Sequence, residues 1–155
     1  MADKALSGSK LLFGKWKKKP PRKLDDAAKN AHDEVFEELD CLKCANCCKS
    51  ISPVITYKDM ERMAGALRMR PSDFMEKYLR QDEDNDFVFI QTPCPFLMRD
   101  NYCQVYDSRP KACREYPHTD RIRFYQILDL TLKNTFVCPA AYHVVEILKR
   151  NSDIK

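Results

Sequence analysis

Glycine is scarce in this chain: three in 155 residues, at Gly8, Gly14 and Gly65. Rossmann-type and P-loop cradles need several glycines where the backbone closes on a phosphate. A nucleotide or S-adenosylmethionine cradle of that kind therefore has no place here. Long apolar runs are also missing, and none approaches the ~20 residues that span a bilayer. Leu11-Leu12-Phe13 is too short for the apolar centre of a secretory signal. The expectation is a cytoplasmic protein with no membrane span and with reduced thiols. Histidine is reduced to three residues and tryptophan to one, whereas cysteine is plentiful at eight.

Eight cysteines in a small secreted domain would mean four disulfides, but a reducing compartment argues for metal instead. Four of them crowd into Cys41-Leu42-Lys43-Cys44-Ala45-Asn46-Cys47-Cys48. A Cys-x2-Cys pair lets two sulfurs reach one tetrahedral ion from a single turn. Adding Cys47 gives the Cys-x2-Cys-x2-Cys spacing that wraps three corners of a [4Fe–4S] cube, whose fourth thiolate comes from afar and is commonly followed by proline. Cys94-Pro95 and Cys138-Pro139 both offer that dipeptide. Cys48 breaks the simple pattern, because neighbouring side chains project in different directions and Cys47 and Cys48 would not grip one ion comfortably.

The expectation is two metal sites sharing this loop, completed by Cys94, Cys103, Cys113 and Cys138. The cofactor is an iron–sulfur cluster, with [4Fe–4S] ahead, or Zn²⁺ or iron. Lys43, Lys49, Arg109, Lys111 and Arg114 flank cysteines and could offset thiolate charge. His118 and His143, each five residues after a cysteine, are weighed as substitute ligands, with eight sulfurs already sufficient for two tetrahedral sites.

Charge is uneven. Residues 1–23 carry eight Lys/Arg against one acid, and the remainder holds 19 bases against 22 acids. Residues 1–23, ending in Lys15-Trp16-Lys17-Lys18-Lys19-Pro20-Pro21-Arg22-Lys23, read as a disordered basic tail, since like charges repel and apolar area is small. Nucleic-acid contact, with Phe13 and Trp16 stacking on bases, is the less favoured reading of that tail. Residues 24–155 then form the metal-binding domain.

Three-and-four spacing predicts a helix over 24–40, with His32 a structural or solvated residue upon it. Thr56 and Asp59 suggest a capping box ahead of a Met60, Met63, Ala64, Leu67 stripe, and Pro71 opens another helix. The acidic run 81–86 imitates the start of a calcium loop, but Phe87 and Pro93 fall where Gly and Glu are needed, so it reads as a solvated loop. A strand is predicted at 87–91 and a hairpin around Arg99-Asp100-Asn101. Further helix is expected after Arg109-Pro110, across 121–133 and from Pro139 to about Arg150. The fold class is mainly α with a small β-hairpin, a metal-stabilised single domain wrapped around its cysteine cluster rather than a large apolar core.

The order Cys41-x2-Cys44-x2-Cys47-Cys48, Cys94-Pro95-Phe96-Leu97, Cys103-Gln104-Val105-Tyr106, Arg109-Pro110-Lys111-Ala112-Cys113-Arg114-Glu115-Tyr116-Pro117 and Cys138-Pro139-Ala140 resembles the CxxCxxCC cysteine-cluster proteins (YkgJ-like). The likeness runs over residues 41–141. It departs after Cys48, where Lys49-Ser50-Ile51 replace a usual Arg and Gly, and at the turn, where Arg99-Asp100-Asn101 replace an Asp-Gly. The resemblance implies zinc or iron chelation, with a redox, cluster-carriage or metal-handling role. One branch is similar to flagellin lysine N-methylases, which makes a metal-dependent protein-modifying enzyme the runner-up. A third reading is a structural-zinc module binding RNA or another anionic partner through the basic tail. A protein partner is expected but its identity is not legible.

Overall fold

The computed structural model describes residues 2–154. It is mostly helical, and its chain contacts divide it into two units: residues 1–39 with 117–155, and residues 40–116.

The first unit is helical. Helix α1 (Ala2–Lys18) packs against α8 (Leu128–Asn134) and α9 (Pro139–Arg150), and α2 (Leu24–Glu38) lies along α9. Ala28, Ala31 and Val35 make one buried stripe on α2, and Ala140, Ala141, Val144, Val145 and Leu148 one on α9. Such three-and-four spacing gives each helix a single apolar face. Asp25 ties down the turn before α8, accepting hydrogen bonds from the N–H groups of Arg123 (2.8 Å) and Phe124 (2.9 Å). His32 is structural, as expected: its Nδ1 lies 2.7 Å from Oγ1 of the fully buried Thr119, and its ring packs on Phe36.

The expected disordered tail is instead helix α1 and the turn behind it. Phe13 and Trp16, one turn apart, are 1% and 4% exposed with ring centroids 5.4 Å apart. Two aromatic side chains each bury on the order of 150–250 Å², which the charge count leaves out. Lys10, Lys15, Lys17 and Lys18 remain exposed, with Lys17 paired to Asp129.

The second unit begins with the cysteine octet. Asp40 caps α3 (Cys41–Cys44), its carboxylate accepting from Leu42 N–H at 2.9 Å. Ala45, at φ 50° and ψ 15°, reverses the chain into α4 (Asn46–Ser50). Helix α5 (Tyr57–Ala66) opens on the expected capping box: Asp59 N–H donates to Thr56 Oγ1, and Thr56 N–H to the Asp59 carboxylate. Helix α6 (Pro71–Tyr78) starts on its proline.

The two-stranded antiparallel hairpin is β1 (Leu79–Gln81) with β2 (Phe87–Phe89), pairing Leu79 with Phe89 and Gln81 with Phe87. Its turn is the acidic run, where Asp82 Oδ1 accepts from the N–H groups of Asp84 and Asp86 and Asn85 takes φ 63°. A hairpin was also expected at 94–106. That segment is a minimal hairpin: the Leu97–Cys103 bridge is flanked by bonds from Met98 N–H to the Tyr102 carbonyl and from Gln104 N–H to the Phe96 carbonyl, both 2.9 Å, and closed by the turn from Met98 to Asn101.

This unit has an apolar core of its own, contrary to the expectation of a fold wrapped mainly on metal. Ile55, Met60, Met63, Ala64, Phe74, Leu79, Phe89, Phe96 and Val105 are all buried in it. Phe96 is its centre, with ring centroids 4.8 Å from Tyr78, 5.6 Å from Phe89 and 6.2 Å from Phe74. Cys94 and Cys103 pack on this core, so the apolar cluster and the thiols share one support.

Candidate metal centre

Seven of the eight cysteines belong to the second unit, and none of the eight is in a disulfide. Cys138 is in the first unit, buried at the N-cap of α9. His118 and His143 also lie in the first unit, His118 at φ 64° and His143 on the exposed side of α9.

Backbone hydrogen bonds bring the Cys48, Cys94 and Cys103 segments together. Cys94 N–H donates to the Cys48 carbonyl at 2.8 Å. The Leu97–Cys103 bridge and the bond from Gln104 N–H to the Phe96 carbonyl (2.9 Å) hold Cys103 beside the Cys94 turn. Cys113 sits on the short helix α7 (Lys111–Glu115), its N–H bonded to the Pro110 carbonyl at 3.0 Å. Cys48, Cys94, Cys103 and Cys113 lie near enough for each of the six pairs to interact electrostatically, one thiolate disfavouring the next. Cys47 interacts electrostatically with Cys48, Cys113 and Cys41.

The local backbone is built to hold sulfur as thiolate. Phe96 and Leu97 N–H groups donate to the Cys94 sulfur, and Val105 N–H to that of Cys103. Such N–H···S bonds favour the charged form, as does the Arg109 guanidinium, which faces Cys48, Cys103 and Cys113. Arg109 is held for this: its Nε donates to the Tyr106 carbonyl at 3.0 Å and its guanidinium stacks 3.9 Å from the Tyr106 ring centroid. Flanking cations were legible in the sequence, and Arg109 is the one the structure brings to the sulfurs of this group from another segment. Lys49 adds a smaller contribution at Cys48.

Burial still dominates at three of the thiols. It pushes Cys94 up to about 11 and Cys113 up to about 12, the neighbouring sulfurs adding to it, and it raises Cys103 against the Val105 N–H. Cys48 moves the other way, to about 7: Cys47 donates a hydrogen bond to it, and Arg109 outweighs part of the burial cost. Cys47, the donor, is raised.

Among the described residues no three His, Cys, Asp or Glu side chains stand as a ready-made ion cage. The donor types nonetheless suit a thiophilic metal: four half-buried cysteines that influence one another electrostatically, with a cation beside them.

Sequence reasoning missed Arg62. Its Nη2 donates to Asp59 Oδ1 and to the Arg109 carbonyl, both at 2.7 Å. The i, i+3 spacing of Asp59 and Arg62 was the only signal available. Asp59 is 1% exposed; burial works against its charge, yet bonds from Thr56, Arg62 and Lys111 N–H together hold its carboxyl below the ordinary range.

Fold and sequence pattern together define a small, mainly helical protein with a cysteine cluster suited to chelating metal. The chain belongs to the CxxCxxCC family, described as a "putative zinc- or iron-chelating domain", whose profile matches residues 40–139. It is similar to an uncharacterized protein of Methanocaldococcus jannaschii, 29% identical over 86 residues. That match takes in 54% of this chain and 46% of the relative, so the chain spans under half of the relative's length. No solved structure matches. No helix of the described residues is long and apolar enough to cross a membrane.

Proposed function

We propose that Cys48, Cys94, Cys103 and Cys113 form one four-thiolate centre holding an iron–sulfur cluster, and that the protein carries electrons or the cluster itself to a partner in the cytoplasm. The supporting observation is that the Cys94–Cys48 backbone bond and the Leu97–Cys103 bridge draw three of these cysteine segments together, and all four cysteines influence one another electrostatically. A cluster would supply one-electron chemistry. The chain supplies N–H donors, the Arg109 charge and partial exposure, which leaves the sulfurs within reach of a partner. Cys41, Cys44 and Cys47 keep the three-corner spacing of a second centre, and Cys138 keeps its Cys-Pro signature as a distal ligand.

Anaerobic purification followed by absorbance, iron and acid-labile sulfide analysis tests this. Brown protein with iron and sulfide in equal amounts, bleached by dithionite, is expected. Colourless protein carrying only zinc would replace the cluster with a structural tetrathiolate ion.

A further inference from the structure

Helix α5 carries the unit's most enclosed ionic contact. Asp59 Oδ1 accepts from Arg62 Nη2 at 2.7 Å and from the Lys111 backbone N–H at 3.1 Å, while Oδ2 accepts from Thr56 N–H at 3.0 Å. Arg62 Nη2 also donates to the Arg109 carbonyl at 2.7 Å. Asp59 and Arg62 thus grip both sides of Pro110, from nearly fifty residues away in sequence. The gripped segment carries Arg109 at one end and leads two residues later to Cys113. A capping box needs only the Thr56 contacts; the Lys111 and Arg109 bonds are additional. The Asp59 side chain is 2% exposed and that of Arg62 34%. Burying a carboxylate is costly unless paired and hydrogen-bonded, and here the pairing is directed at the loop that presents a ligand.

We propose that Asp59 and Arg62 are positioning residues for the thiolate centre, fixing the Arg109–Lys111 segment so that Cys113 and the Arg109 guanidinium meet the other sulfurs. This rests on Cys113 being a ligand, as proposed above, and holds whichever thiophilic metal the centre takes. Loss of the clasp frees the loop, and the centre keeps three thiolates in place of four.

Cobalt(II) binding to the reduced, metal-free protein reads this directly, because thiolate-to-cobalt charge-transfer absorbance grows with the number of bound sulfurs. Arg62→Lys keeps the charge and leaves the Thr56 and Lys111 bonds to Asp59 in place, but cannot bridge Asp59 and the Arg109 carbonyl in the same way; Asp59→Asn removes the negative charge and leaves one acceptor oxygen where two are used. Each is expected to weaken cobalt affinity about tenfold, a typical loss for an outer contact of a metal site, and to lower the charge-transfer intensity toward that of Cys113→Ser. Combined with Cys113→Ser, neither should cause further loss, because the ligand they position is already gone. Equal losses with and without Cys113 would overturn the proposal, as would unchanged spectra in both clasp variants. If Cys113→Ser itself leaves cobalt binding intact, the four-thiolate reading fails first. Should Asp59→Asn not fold, Arg62→Lys, altered at a partly exposed side chain, decides alone.

Discussion

At the scale of the residue, the thiols are not alike. Cys94, Cys103 and Cys113 are raised by burial and by one another, so at neutral pH the metal-free site is largely protonated. Metal must displace those protons, and its affinity therefore rises with pH, by up to about tenfold per pH unit for each proton displaced. Zinc competition titrations between pH 6 and 8 should show that rise, and a flat profile would contradict it. Cys48, at about 7, is the most ionised of the four in the metal-free protein. Brief alkylation at pH 7 followed by mass spectrometry should label Cys48 ahead of Cys94 and Cys113, with the label suppressed once metal is bound. The candidate ligands were named from spacing and from the Cys-Pro dipeptides. Their grouping was not, because which distal sulfur meets which loop sulfur depends on backbone pairs such as Cys94 to Cys48.

At the scale of the element, the octet works as two short helical turns hinged at Ala45. A left-handed backbone costs a non-glycine residue about 1–2 kcal/mol, and a β-branched side chain fits it worse. Ala45→Val is expected to destabilise by at least that amount in denaturant titrations and to reduce metal content, whereas Ala45→Ser at the same position should cost less. Helix α1 offers the second case. Its lysines dominate the sequence impression, yet Phe13 and Trp16 decide its structure, because two buried aromatics outweigh exposed charges that water already solvates. Trp16→Ala should cost about 3–5 kcal/mol, measured by chemical denaturation; a change under 1 kcal/mol would return the segment to a solvated tail. The helices from α2 onward were legible because their apolar faces repeat every three to four residues. β1 was not, since three residues with one buried side chain carry no readable alternation and only the partner strand makes them a strand.

At the scale of the molecule, the second unit has two sources of order: the apolar cluster around Phe96 and the thiolate centre packed beside it. Metal ligation can contribute on the order of 10 kcal/mol, but the apolar cluster gives this unit support that does not depend on metal. Cys94 and Cys103 pack against the apolar cluster. The arrangement makes the tetrad the central claim, and metal stoichiometry tests it most directly. Metal per chain should be compared, after anaerobic purification, between the native protein and a variant with Cys48, Cys94, Cys103 and Cys113 all changed to serine. The account predicts that the variant loses the metal of that centre, retaining at most what Cys41, Cys44 and Cys47 hold. An unchanged metal-to-protein ratio would contradict it.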